Sequence, residues 1–84
     1  MHAQLLTPSH AALGRAVRVL RARHQLSQEA VEHRGGPHRN YVGAVERAET
    51  NPTYSTLVRL AAGLGVPLSA LVLLAEQIAE AEGI

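Results

Sequence analysis

The chain has 84 residues, no cysteine and a formal net charge of +1. That length sets one small core, and the lack of cysteine excludes disulfide staples, thiolate metal sites and cysteine nucleophiles, leaving stability to helix packing or self-association. No apolar run approaches the roughly 20 residues that cross a bilayer, and the opening Met-His-Ala-Gln lacks the basic and apolar regions of a signal peptide, so a soluble, cytoplasmic protein without membrane contact is expected.

Thr7-Pro8-Ser9 opens a first predicted helix over residues 10–23, with Leu13, Val17 and Leu20 on one face and Arg15, Arg18 and Arg23 off it. Ser27 caps a short second helix over residues 28–34. Gly35 and Gly36 follow it, accepting the positive backbone angles that L-residues resist, and Pro37 blocks continuation. With His38 as N-cap, Arg39, Asn40 and Tyr41 project from the first turn of a third helix, while Val42 and Val45 turn inward to meet Val31. Two short helices joined by a glycine turn, the second with a basic and polar start, match the layout of a helix-turn-helix, whose second helix enters the major groove of DNA. The polar loop Glu49-Thr50-Asn51-Pro52-Thr53 leads to Ser55, the expected cap of a fourth helix whose buried stripe is Leu57, Leu60, Ala61 and Leu64. Gly65-Val66-Pro67 makes a tight corner, and a fifth helix is predicted over residues 68–82. The expected fold class is therefore all-α: one compact five-helix domain over residues 1–84, with its core at about 10–74 and a helical extension at about 75–84.

The small net charge conceals an asymmetry. Residues 1–47 carry seven arginines against three glutamates, and residues 48–84 one arginine against four. The basic half holds the predicted reading helix and all five histidines, which suits a polyanionic partner, here double-stranded DNA. Arginine used throughout in place of lysine is the plainer account of the same residues. Near the other end, Leu71, Leu74, Ala75 and Ile78 continue an apolar stripe beyond what the other four helices need. A homodimer interface is expected there, since two reading helices must then lie about one helical turn apart, ~34 Å. The alternative is a last helix folded back onto its own domain.

With these residues placed, the chain resembles the Cro and phage-repressor type of helix-turn-helix regulators, the XRE family, over about residues 13–74. The resemblance is carried by Leu13-Gly14-Arg15-Ala16-Val17-Arg18-Val19-Leu20-Arg21, Leu26-Ser27-Gln28-Glu29, Arg39-Asn40-Tyr41-Val42, Val45-Glu46-Arg47, Asn51-Pro52-Thr53, and Leu60-Ala61 followed by Leu64-Gly65-Val66-Pro67-Leu68. Within the family, the small restriction-modification controller proteins are similar in length and share the Arg-Asn-Tyr start with Glu-Arg-x-x-x-Asn-Pro-Thr after it. The resemblance implies a lambda-repressor-like domain acting as a homodimeric, sequence-specific regulator on an inverted-repeat operator, without a cofactor. It gives Gln28 a phosphate contact and a buttress to the reading helix, and puts His38, Arg39, Asn40, Gly43 and Ala44 beside base edges or adjacent phosphates. Arg39 suits guanine and Asn40 adenine, each bidentately. Tyr41, Arg47, Thr50 and Asn51 fall to the DNA backbone, and Tyr54 either caps the core or touches phosphate. Arg21 and Glu46 match a pair that forms a structural salt bridge in the family.

Several positions depart from the family pattern. Glu32 replaces a small residue where the second and third helices approach, so Glu32→Ala is expected to raise thermal stability, with the carboxylate otherwise turning to solvent or meeting Arg34 or Arg39. Gln25 and Ala48 stand where glycine commonly ends a helix, each at a cost of about 1 kcal/mol if its turn needs positive φ. The same residues could serve two other function classes. A metal hydrolase built on His33, His38 and Glu29 or Glu32 fails on spacing, because the histidines flank a glycine turn and do not share one helix face. An antitoxin-type module that neutralises a protein partner would use the long last helix.

Overall fold

The computed structural model describes residues 6–83. The opening residues 1–4, read above for a leader, lie outside the described part. Among the described residues the chain forms five α-helices and no strand: α1 (Pro8–Arg23), α2 (Gln28–His33), α3 (Arg39–Glu46), α4 (Tyr54–Leu64) and α5 (Leu68–Ala81). Thr7, Ser27 and Thr53 each accept a backbone N–H with a side-chain oxygen at a helix start. Pro8 occupies the first turn of α1, where its missing N–H is not needed. His38 caps α3 in the same way, its Nδ1 accepting the Asn40 amide at 3.0 Å. Ser55 is not the cap of α4: Thr53 takes that place, accepting from the Thr56 amide at 3.2 Å, and the helix starts at Tyr54.

One way of ending a helix recurs four times. After α1, α2, α3 and α4 the chain makes the paired backbone bonds of a Schellman motif, such as Leu26 N–H to Arg21 O at 2.9 Å with Gln25 N–H to Ala22 O at 3.1 Å. The residue in the left-handed region is Gln25 (φ 56°), Gly35 (φ 106°), Ala48 (φ 59°) and Gly65 (φ 79°) in turn. Both non-glycine positions flagged in the sequence thus do take positive φ. Gly36, by contrast, does not. Its N–H closes the motif on Val31 O at 2.9 Å, and a Cβ there would meet Val31 Cγ1 at 2.8 Å, so closeness and not backbone angle requires the glycine. Gly63 meets the same valine from α4, where a Cβ would lie 2.5 Å from Val31 O. The glycine turn and α4 therefore clasp Val31 from two sides.

The core joins Ala16, Val17, Leu20, Val31, Val42, Val45, Leu60, Ala61, Leu64 and Leu71, all buried. Complete burial of a leucine or valine contributes ~1.5–3 kcal/mol. The most extensive packing between helices is that of α5 on α1. This corrects the expectation for Leu71 alone in the apolar stripe. Leu71 is fully buried in its own core, so it has no surface to offer a second copy, and Leu74, Ala75 and Ile78 are partly buried against the same core. The helix folds back because the short corner after Leu64 turns it across α1, and Arg15 pairs with Glu82 near its end. The large apolar side chains that α5 leaves exposed are Val72 and Leu73. Among the described residues no single helix is long and apolar enough to cross a membrane.

Candidate nucleic-acid interface

α3 presents one face to the core through Val42 and Val45 and the opposite face outward. At 100° per residue, Arg39, Asn40, Gly43, Ala44 and Arg47 fall within one arc of roughly 140°. Arg39, Asn40 and Arg47 are exposed and Ala44 is half-exposed, whereas Gly43 is buried. A Cβ at Gly43 would lie 3.0 Å from Arg47 Nη1 and 3.3 Å from Gln28 Nε2, so those two side chains lie over it.

The C-terminal end of α3 is locked from beneath. The Glu46 side chain is only 2% exposed and accepts from Arg21 Nε at 2.7 Å, Arg21 Nη2 at 3.0 Å and Gln28 Nε2 at 3.0 Å, with Arg18 Nε at 3.7 Å. Arg21 also donates to Leu26 O at 3.1 Å, tying α1 to the turn before α2. Its hydrogen bond to Glu46 holds the guanidinium above its ordinary value, against the opposing effect of burial. The pair expected from the family pattern is present, and Gln28 is the expected buttress. The pair draws together α1, α2 and α3 where α1 and α3 are in close contact, since a Cβ at Gly14 would meet the Val45 and Glu46 carbonyls at 2.6 Å.

The N-terminal end of α3 is tied more loosely. Arg39 Nη1 lies 2.7 Å from Glu29 Oε2 and Arg39 Nε 3.0 Å from Glu32 Oε1, the same oxygen also accepting the Arg39 amide at 3.3 Å. The Glu32 carboxyl lies below its ordinary range: partial burial pushes it up, and the Arg39 amide, neighbouring His38 and the Arg39 guanidinium together outweigh that. Glu32 therefore neither crowds α3 nor points to solvent. It satisfies an amide that the start of a helix leaves without an intrahelical partner, and puts a negative charge where the helix dipole favours one.

Thr50 Oγ1 donates to Tyr41 Oη at 3.4 Å, so these two backbone candidates meet at the edge of α3. Asn51 accepts from His10 Nε2 at 3.0 Å through Oδ1, while His10 Nδ1 lies 2.7 Å from Thr7 Oγ1. That ties the loop after α3 to the start of α1 and leaves the Asn51 amide nitrogen for an outside acceptor. Tyr54 is 74% exposed and does not cap the core. One residue escaped the sequence reading. Arg59 of α4 lines a shallow hollow of about 400 Å³ with Pro37, His38, Tyr41 and Thr56, beside the start of α3. Its Nη2 donates to Gly36 O at 3.4 Å, placing a further cation at the edge of this outer face. The signal in the sequence was that it is the lone arginine of the acidic half.

A core-anchored helix with a polar, cationic outer face, set behind a short helix and a glycine turn, defines the helix-turn-helix class. The profile of that family, described as helix-turn-helix, matches residues 17–71, more than half of the chain, and the chain belongs to this family of DNA-binding regulators, which are not enzymes. Among curated proteins, the chain is similar to the control protein C.SmaI of Serratia marcescens, at 44% identity over 59 residues that cover 70% of each chain. It is also similar to an uncharacterized HTH-type transcriptional regulator, y4dJ, of Sinorhizobium fredii, at 47% identity over 47 residues, 56% of this chain and 61% of the relative. No solved structure matches significantly.

Proposed function

We propose that the chain is a cytoplasmic, sequence-specific transcriptional regulator of the controller type, binding an inverted-repeat operator as a homodimer and needing no cofactor. Residues 1–84 act as one unit, the body at about 10–74 and the last turns of α5 as its extension. The observation that carries this reading is the outer face of α3, where Arg39, Asn40 and Arg47 stand exposed on a helix whose other face is anchored in the core. The resemblance to a control protein over 70% of both chains supports it. α3 lies in the major groove, with Arg39 and Asn40 on base edges and His38 and Ala44 beside them. Tyr41, Arg47, Thr50, Asn51 and Arg59 hold the backbone, with Gln28 as buttress to α3. Occupancy then blocks polymerase or helps recruit it, according to where the site lies.

The dimer surface belongs to what α5 and α4 leave open, Val72 and Leu73 with Val58 and the part-exposed Leu74, Ala75 and Ile78, and not to the buried Leu71. Selection of binding sites from random duplex DNA, with the mass of the protein measured in solution, tests the proposal. An enriched inverted repeat with half-sites about one turn apart, together with a dimer mass, is the expected result. No enrichment by a folded protein would overturn it and transfer the exposed residues of α5 to a protein partner.

A further inference from the structure

The reading arginine is not free in this structure. Arg39 is held by two carboxylates of α2, at 2.7 Å by Glu29 and at 3.0 Å by Glu32. Glu29 and Glu32 are one helical turn apart and so share a face of α2, turned toward the start of α3. The three groups together carry a net negative charge on the side of the molecule that must meet phosphates. The Arg39 and Glu29 side chains are 44% and 52% exposed, so their pairing contributes little to stability. Its consequence falls on binding.

Resting on the assignment of Arg39 to base reading, we propose that Glu29 and Glu32 are specificity determinants, withholding Arg39 from the phosphate backbone and releasing it to a base pair that offers two acceptors. A phosphate brings negative charge up against both carboxylates, so separating Arg39 from Glu29 to reach it exchanges one ion pair for another and adds repulsion. Guanine presents O6 and N7 as neutral acceptors, and a guanidinium fork satisfies both without that repulsion. Nε is the donor farthest from the fork that Nη1 and Nη2 make, so Glu32 keeps its bond to Nε in the complex and fixes the plane of the guanidinium. Glu29 sits on Nη1, which also serves that fork, so its charge competes with the base for that nitrogen. Glu32 is thus a positioning residue and Glu29 a competitor whose hold on Nη1 a correct base weakens.

The test measures affinity for a selected duplex and for a random-sequence duplex of equal length at one salt concentration, for the wild type, E29Q, E32Q and each combined with R39A. E29Q is expected to tighten random binding about three- to fivefold and selected binding by less, so that the ratio between them falls. E32Q is expected to lower the ratio mainly by weakening the selected site. Neither change should alter the ratio once Arg39 is alanine. An unchanged ratio in E29Q, or an equal fall in the R39A background, overturns the proposal. Should E32Q fail to fold, E29Q carries the test, because its side chain is half exposed and caps nothing. If R39A alone keeps the full wild-type ratio, the assignment of Arg39 to base reading has failed, a result distinguishable from failure of the two glutamates.

Discussion

The two ends of α3 each carry an arginine–glutamate cluster, and their surroundings give them opposite roles. At the C-terminal end Glu46 is buried and receives three hydrogen bonds from Arg21 and Gln28. At the N-terminal end Arg39 shares two carboxylates in a half-exposed setting. Removing one member of a buried pair strands a charge where water cannot replace the partner, whereas an exposed pair exchanges with water and salt at small cost. One end of the helix is therefore fixed to the fold and the other is left free to change partners, which is the division of labour a reading helix needs.

Glu46→Ala is the strongest way to break this comparison. It should destabilise the protein by about 3 kcal/mol and lower its Tm by roughly 10–20 °C in a thermal melt. A loss no larger than the ~0–1 kcal/mol of a surface pair would erase the distinction between the two ends. A smaller effect sharpens the picture of the buried end. Arg21 also bonds the carbonyl of Leu26, one residue past Gln25, which sits at φ 56°. Exposed Gln25 loses nothing by truncation, so Gln25→Gly should stabilise the protein by about 1 kcal/mol in denaturant unfolding. Ala48→Gly, at φ 59°, should return less, since it also removes a buried methyl group worth ~0.8 kcal/mol. Equal gains at both sites would contradict the burial argument.

The contrast also marks what the residues disclose before any fold is known. The caps at Ser27 and His38, the inward valines and the strained ends at Gln25 and Ala48 are local features, decided within a few residues, and they were legible. Thr53 and Ser55 are both hydroxyl residues one step either side of Tyr54, and either could cap α4 on chemistry alone; the choice lies in the path of the preceding loop. The glycine pair signals a turn but does not say that Gly35 supplies the angle and Gly36 the clearance for Val31. Periodicity gives α5 an apolar stripe without saying whether α1 or a second molecule covers it. The sequence motifs place Gln28, Arg39, Asn40 and Arg47 beside one another on the candidate face. The hold of Glu29 on Arg39, ten residues away across the turn, and the approach of Arg59 from α4 exist only after the helices are docked.

The most direct measurement compares Arg39→Ala and Arg47→Ala for binding to a selected duplex and to a random one. If α3 reads bases from its N-terminal end, Arg39→Ala should lose preference by about tenfold or more, the value of one bidentate contact. Arg47→Ala should weaken both complexes alike and keep the preference, as a backbone contact does. Equal loss of specific and random binding in Arg39→Ala would contradict the account at its centre.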